Sequence, residues 1–367
     1  MKLFKHLLVA PAVLGLIAPV AANATDSDLE AISNLYQENI DLNSGSFKSN
    51  TGNKSLLLSG GEGLVESSVD ESSFDENSFS ETTTASFGST FYVGSVENSA
   101  TGEATTFSYD FGMDLSTSFT GEDSLDIAVI GGDAGVTAVD GFMGGDGTSD
   151  ALTLDGVAYT FPLGGATVIV GDGVGVDDLN TGACAYSAFT DLLSDCGTSN
   201  VGGSADSAFA IAYDFDNGFT LAGGAGGGTG TDGFFTEEDA STIGLEAAYT
   251  ADTYGLSVAY TDDEATTYWS LQGMLALEGY PSLSIGYETD DDDADAIFAG
   301  ITFAEVGPGS VSLGMASTDL SSDDYYQYEL AYSYPLNDGM TITPGVFIKE
   351  TSGDDETGVV VTTSFSF

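Results

Sequence analysis

The residues from which most enzymes build a nucleophile, a base or a metal site are almost missing from this chain. Its 367 residues hold one histidine, His6, and two cysteines, Cys184 and Cys196, against 58 aspartates and glutamates. With no histidine beyond position 6, the Ser-His and Cys-His pairs that activate a nucleophile cannot form, nor can a histidine-ligated metal site. Paired carboxylates can run acid–base chemistry, but among 58 acids such a pair arises by chance and marks nothing. The run 223–233 contains a GxGxxG-like string. No helix pattern follows it, so the dinucleotide reading fails its context. The chain is not expected to be an enzyme, and no cofactor is expected.

Two features keep some chemical content. Cys184 and Cys196 fall in one long segment, 172–204. In an exported protein a disulfide closing that loop is the first reading, and it would remove about 3 kcal/mol of unfolded-state entropy in the loop-closure model. A metal site built on two lone cysteines is the weaker alternative. Asp290, Asp291, Asp292 and Asp293, with Asp295, form the densest acid run. They are weak candidates for a calcium-binding outer loop, with a solvated hairpin tip as the simpler reading.

Charge narrows the class further. The formal net charge is −53, and the five basic residues are all lysines: Lys2, Lys5, Lys48, Lys54 and Lys349. Nucleic acid is excluded as a partner, because phosphate contacts need Lys and Arg. At 42% hydrophobic and 11% aromatic residues the chain is too apolar to be simply disordered. Residues 1–6 are a positive n-region, 7–22 an apolar stretch broken by Pro11 and Pro19, and Ala22-Asn23-Ala24 a small-x-small cleavage site. Residues 1–24 therefore read as a secretory signal peptide. No later stretch is apolar and long enough for a spanning helix, so an exported chain of this kind is either soluble or a closed barrel.

The elements that must position the acids follow a period of two. Phe107, Tyr109, Phe111, Met113, Leu115 and Phe119 share odd parity, with Ser108, Asp110, Gly112, Asp114, Ser116 and Ser118 between them. That is a long strand with two unlike faces. The pattern recurs to Val359, Val361, Phe365 and Phe367. With weaker candidates near 85–96, 123–131, 151–161 and 165–171 it predicts about sixteen strands. Connections at 120–122, 162–165, 216–218, 251–253, 278–281, 305–308 and 335–339 are short, and those at 132–150, 172–204 and 227–239 are long. Short turns on one side and long loops on the other point to a transmembrane antiparallel β-barrel of about 16 strands with both termini periplasmic. A soluble β-sandwich also alternates. The Tyr and Phe residues near strand ends and the closing Phe367 favour the barrel.

Several stretches resemble cyanobacterial outer-membrane porins of the carbohydrate-selective porin family. They are the signal MKLFKHLLVAPAVLGLIAPVAANA, the hairpin TTFSYDFGMDLSTSFTGEDSLD at 105–126, DGVAYTFPLGGATVIVGDGVGVDDL at 155–179, and the C-terminal TITPGVFIKE and VVVTTSFSF. The resemblance covers roughly residues 80–367 plus the signal. It implies an outer-membrane porin carrying sugars or inorganic ions. Two departures stand out. Larger relatives place a surface-layer homology domain and a coiled coil before the barrel, whereas 25–84 is short and reads as a mostly flexible periplasmic lead to a barrel at 85–367. The barrel also has no arginine, so a basic ladder facing acids cannot be built.

If the apolar parity faces lipid, the other parity lines the pore. That assigns Asp110, Asp114, Asp126, Asp214, Glu246, Gln272, Glu288, Gln327 and Glu329 to the lumen, with Lys349 the one opposing base. Inward acids favour cations. The expectation is passive diffusion of small hydrophilic solutes (ions, sugars) through a barrel roughly 30 Å across, with a cation bias. Outer-membrane lipid, the barrel-assembly machinery and two further copies in a homotrimer are its expected partners. A plugged, non-conducting structural or docking barrel is the alternative.

Overall fold

The computed structural model describes residues 83–99, 103–135, 137–145, 147–202, 207–227, 241–291, 294–318 and 325–367. The signal peptide, the lead segment up to 82, most of the connection 227–239, and Asp292 and Asp293 lie outside the described residues.

Sixteen strands follow the alternating pattern. They are β1 (Thr83–Glu97), β2 (Thr106–Thr117), β3 (Ser124–Gly132), β4 (Thr153–Leu163), β5 (Ala166–Asp172), β6 (Ser207–Asp214), β7 (Phe219–Gly227) and β8 (Ser241–Thr250). The second half comprises β9 (Tyr254–Asp262), β10 (Thr267–Leu275), β11 (Ser282–Asp290), β12 (Asp295–Val306), β13 (Gly309–Thr318), β14 (Tyr325–Asn337), β15 (Met340–Lys349) and β16 (Glu356–Ser366). Each pairs antiparallel with its sequence neighbours, and β1 pairs with β16, so the sheet closes on itself. The soluble sandwich is thereby excluded. Closure satisfies the edge that an open sheet would expose. At the seam the backbones of Phe87 and Phe367 exchange hydrogen bonds of 2.8 and 3.0 Å. An even strand number brings the start of β1 and the end of β16 to one rim, which also carries the short turns such as 215–218 and 251–253.

The two faces follow from the parity. Phe107, Leu245, Leu256 and Ile285 are each more than half exposed on the outer wall, where a water-soluble protein would bury them. Aromatic residues gather near both ends of the strands. Tyr213 meets Phe215, Phe219 meets Tyr249, and Tyr249 meets Tyr254 at the short-turn rim, while Tyr260 packs on Trp269 toward the other. In β14, Tyr326 and Tyr328 are separated from Tyr332 and Tyr334 by Leu330. That is the arrangement of an apolar band between two aromatic girdles.

One turn on the short side is tightly built. Asp123, between β2 and β3, accepts bonds from the Tyr159 hydroxyl (2.6 Å), the Ser118 hydroxyl (2.9 Å) and the Phe119 and Thr120 amides (2.9 and 2.8 Å). The Tyr159 hydroxyl first, and the Thr120 amide after it, hold the Asp123 carboxyl well below the usual range.

Two insertions fill part of the lumen. The helix α1 (Ala138–Met143) lies in the β3–β4 connection, its first turn closed by a capping box between Thr137 and Asp140. The second insertion is the β5–β6 connection, with short 3-10 turns at Asp191–Gly197 and Ser199–Gly202.

Candidate functional site: the lumen and its inserted segment

The inner wall presents polar side chains on β8, β10, β11 and β14, and the inserted segment supplies the groups that they meet. Backbone amides leave a looped segment without partners, so a segment inside a barrel must find acceptors on the wall. Glu246 on β8 accepts from the amides of Thr181 (2.5 Å) and Gly182 (2.9 Å). Gln272 on β10 accepts from Ala183 N (2.7 Å) and donates to the Asp195 carbonyl (2.8 Å) and the Thr198 hydroxyl (2.7 Å). Ser284 on β11 accepts from Ala185 N at 2.9 Å. Glu288, also on β11, accepts from Asn200 through its amide (3.1 Å) and side chain (2.6 Å), and from Val201 N at 3.1 Å. Glu329 on β14 takes four bonds, from the Tyr186 hydroxyl (2.8 Å), Phe189 N (2.8 Å), Thr190 N (2.8 Å) and the Thr190 hydroxyl (2.5 Å). Gln327 donates to that same Thr190 hydroxyl at 2.6 Å.

These bonds trace a path. The outgoing limb runs along the wall from β5 to β14, turns at Thr190, and returns to β10 and β11 at Asn200. Cys184 and Cys196 join the two limbs in a disulfide with Cα atoms 5.9 Å apart, and Gln272 touches both limbs beside it. The wall is cut back to receive the segment. A Cβ on Gly286 would lie 1.9 Å from the Cys196 carbonyl, and one on Gly314 would lie 2.4 Å from the Tyr186 hydroxyl, so only glycine fits under these contacts. A cavity of about 330 Å3 remains between the limbs, lined by Asp177, Asn180, Asp195 and Glu246 among others. Burial there pushes the Asp177 carboxyl up to about 6, with Asp178, Asp195 and Glu246 adding to it. Burial also raises Asp178, and raises Tyr186 together with the neighbouring Glu329 charge.

Apolar contacts seal the far end of the segment. Phe189 joins Tyr92, Val96, Val139, Phe347 and Val360 in a core that lies inside the barrel, and α1 adds Phe142, whose ring stands 4.3 Å from that of Phe347. Leu193 packs with Phe298 and Ala316. These inward apolar residues went unassigned in the sequence analysis. Their signal was present as breaks in the alternation: Phe298 beside Ile297, Phe347 between Val346 and Ile348, and Val360 between Val359 and Val361.

The ten lumen candidates divide into groups. Glu246, Gln272, Glu288, Gln327 and Glu329 are all buried and face the inserted segment. That amends the expectation that they line open water: the segment covers them because it needs their acceptors and donors. Asp110 accepts from Thr90 N (3.0 Å) and the Tyr92 hydroxyl. Asp126 accepts from the Ser124 hydroxyl at 2.7 Å. Asp114 is exposed on the inner parity of β2, and Asp214 sits at the β6–β7 turn, bonded to Asp216 N at 2.8 Å. Asp110, Asp114 and Asp126 thus share the β2–β3 wall, across the barrel from the segment's main anchors. Lys349 lies on β15 with its ammonium 5.5 Å from the centre of the Phe142 ring. In the acid run, Asp290 accepts from Ala294 N at 2.8 Å and Asp291 from Thr267 N at 3.0 Å, as hairpin-tip residues do. No group of acids, cysteines or histidines suited to a metal ion occurs among the described residues.

A closed sixteen-stranded barrel, apolar outside and polar inside, with the β5–β6 connection folded into its lumen, is the architecture of bacterial outer-membrane porins. Solved structures agree on that fold. OprB of Pseudomonas putida, in its low-pH form, is 12% identical with a TM-score of 0.58, over 78% of this chain and 92% of that one. OmpT of Vibrio cholerae lacking loop L8 is 13% identical with a TM-score of 0.57, over 78% and 99%. An anion-selective porin from Comamonas acidovorans is 15% identical with a TM-score of 0.57, over 78% and 100%. No protein-family model matches the chain, and no curated protein does.

Proposed function

We propose that this chain is an outer-membrane porin that passes small hydrophilic solutes, ions first and sugars among the alternatives, with a bias toward cations. The observation that carries the reading is the β2–β3 wall. Asp114 stays exposed on the inner face while the opposite wall is covered, which supports an acidic aqueous path beside the inserted segment. Carboxylates on a narrow aqueous path concentrate cations and repel anions. One neighbour in fold is titled an anion-selective porin. This chain has no arginine, and Lys349 is the one base among its described residues, so the lumen charge that would favour anions is lacking. Outer-membrane lipid around the apolar band, the barrel-assembly machinery and cations are its partners under this reading.

The competing reading is a plugged barrel that serves as a structural or docking protein. The long course of the inserted segment from β5 to β14 favours it. Single-channel recording in planar bilayers separates the two. Discrete conductance steps are expected, and a purified, folded barrel that adds no steps would leave the plugged reading.

A further inference from the structure

Gln272 on β10 holds both limbs of the inserted segment. Its side chain is buried, and its oxygen and nitrogen face different limbs. The oxygen accepts from Ala183 N of the outgoing limb at 2.7 Å and from the Ser257 hydroxyl at 3.3 Å. The nitrogen donates to the Asp195 carbonyl at 2.8 Å and to the Thr198 hydroxyl at 2.7 Å, both on the returning limb. Its neighbours on the wall are one-sided. Glu246 and Ser284 meet the outgoing limb, and Glu288 and Thr261 the returning one. The Cys184–Cys196 bond ties the limbs to each other but to no strand. The corner that Gln272 grips is strained. Asp195, Cys196 and Gly197 stand in succession at φ 49°, 54° and 66°, a region that Asp and Cys keep only where surrounding contacts hold them.

We infer that Gln272 is the positioning residue of the path: by seating both limbs on β10 it fixes how far the corner at Asp195 projects into the lumen, and with that the size of solute admitted. The inference deepens the porin reading and rests on it for the passage of solute. The chemistry of the position selects a carboxamide. A side chain there must accept from one limb and donate to the other. A carboxamide does both, whereas a carboxylate only accepts and an ammonium only donates. A protonated carboxyl again offers one donor and an acceptor. Gln272→Glu therefore sets an acceptor against the Asp195 carbonyl when ionised and recreates the clasp when neutral, a state that burial favours. Gln272→Leu keeps comparable bulk and holds neither limb.

Two readouts test this on the full chain, with heat-modifiable mobility on gels confirming that each variant is folded. Bilayer conductance in the presence of neutral polymers of graded size reads the aperture. Limited proteolysis of the detergent-folded barrel near residues 195–199 reads the seating without needing current. Gln272→Leu is expected to conduct about twofold more than the wild type, to admit larger polymers and to be cut, since the lumen behind the segment is wide. Gln272→Glu is expected to match Gln272→Leu at about pH 8 and to return to wild-type behaviour at about pH 4, where a buried glutamate regains its proton. The wild type at each pH supplies the reference, and a barrel merely destabilised by the substitution would not recover in acid. If Gln272→Leu keeps the wild-type conductance, polymer cut-off and protease resistance, or if Gln272→Glu shows no recovery in acid, the inference is overturned. If no form carries current, yet the cut near 195–199 appears in the variants and reverses with pH in Gln272→Glu, the porin reading alone is overturned and Gln272 keeps its part in seating the segment.

Discussion

Glu329 shows how an acid predicted to line water becomes a fastener. Its two oxygens accept four bonds from Tyr186, Phe189 and Thr190. Buried donors left without a partner cost on the order of 1–3 kcal/mol each. Glu329→Ala is therefore expected to free the turn at Thr190 and to lower the unfolding temperature of the detergent-folded barrel. Limited proteolysis checks it: a cut appearing near residues 189–193 in the variant and not in the wild type is the expected outcome. Asp177 offers a pH handle in the same segment. Its carboxyl is raised to about 6 by burial, whereas the unfolded chain titrates near ~4. The folded state therefore holds the proton more tightly than the unfolded one, and Asp177 weakens the docked segment as pH rises from about 4 through about 6. The same rise adds a negative charge to the lumen. Cation selectivity should climb over that window in the wild type and stay flatter in Asp177→Asn, read as reversal potential against pH.

Among the elements, the β5–β6 connection would set the width of the path under the porin reading. Its two limbs are tied by Cys184–Cys196 and anchored to β8, β10, β11 and β14, so it is held at both levels. Replacing both cysteines by serine should leave the barrel folded, with its wall bonds intact, but should increase current fluctuations as the return limb loosens. Unchanged noise would show that the wall bonds alone hold it. Deleting residues 176–201 should raise the conductance severalfold, because the remaining lumen of a sixteen-stranded barrel is wide. The short turns belong to the opposite rim from this connection. With the protein in intact cells, protease is expected to reach 133–152 or 263–266 and never 215–218 or 251–253. A cut at either short turn from outside would reverse the proposed orientation.

Under the porin reading, the assembled barrel would carry its selectivity on one side. The inserted segment and α1 cover the wall from β6 round to β1, leaving Asp110, Asp114 and Asp126 on the β2–β3 face. In a bilayer with unequal KCl on its two sides, the reversal potential is expected to have the cation-selective sign, most strongly at low ionic strength where screening is weakest. Asp114→Asn combined with Asp126→Asn should reduce it without closing the channel, while Asp214→Asn at the turn should change it little. Equal passage of potassium and chloride by the wild type at low salt would sink the acid-wall reading.

The strand pattern was readable in the residues because a barrel wall has two solvents. Lipid on one side and polar surroundings on the other impose a strict period of two, and the alternation from Phe107 to Leu115 or from Tyr326 to Tyr334 records it directly. Strand number, connection lengths and the pairing of the two cysteines in one long segment followed from the same local signals. What became of each inward residue did not. Glu246 and Asp114 have the same parity and the same chemistry, yet one is sealed under Thr181 and the other is left to water, because the inserted segment crosses β8 and not β2. Burial of Phe298 and Phe347 inside the lumen, and the close approach over Gly286 and Gly314, likewise depend on contacts between residues about a hundred or more positions apart. Alternation along a strand reports which face a side chain takes, and the course of a loop across that face is set by packing that no single strand encodes.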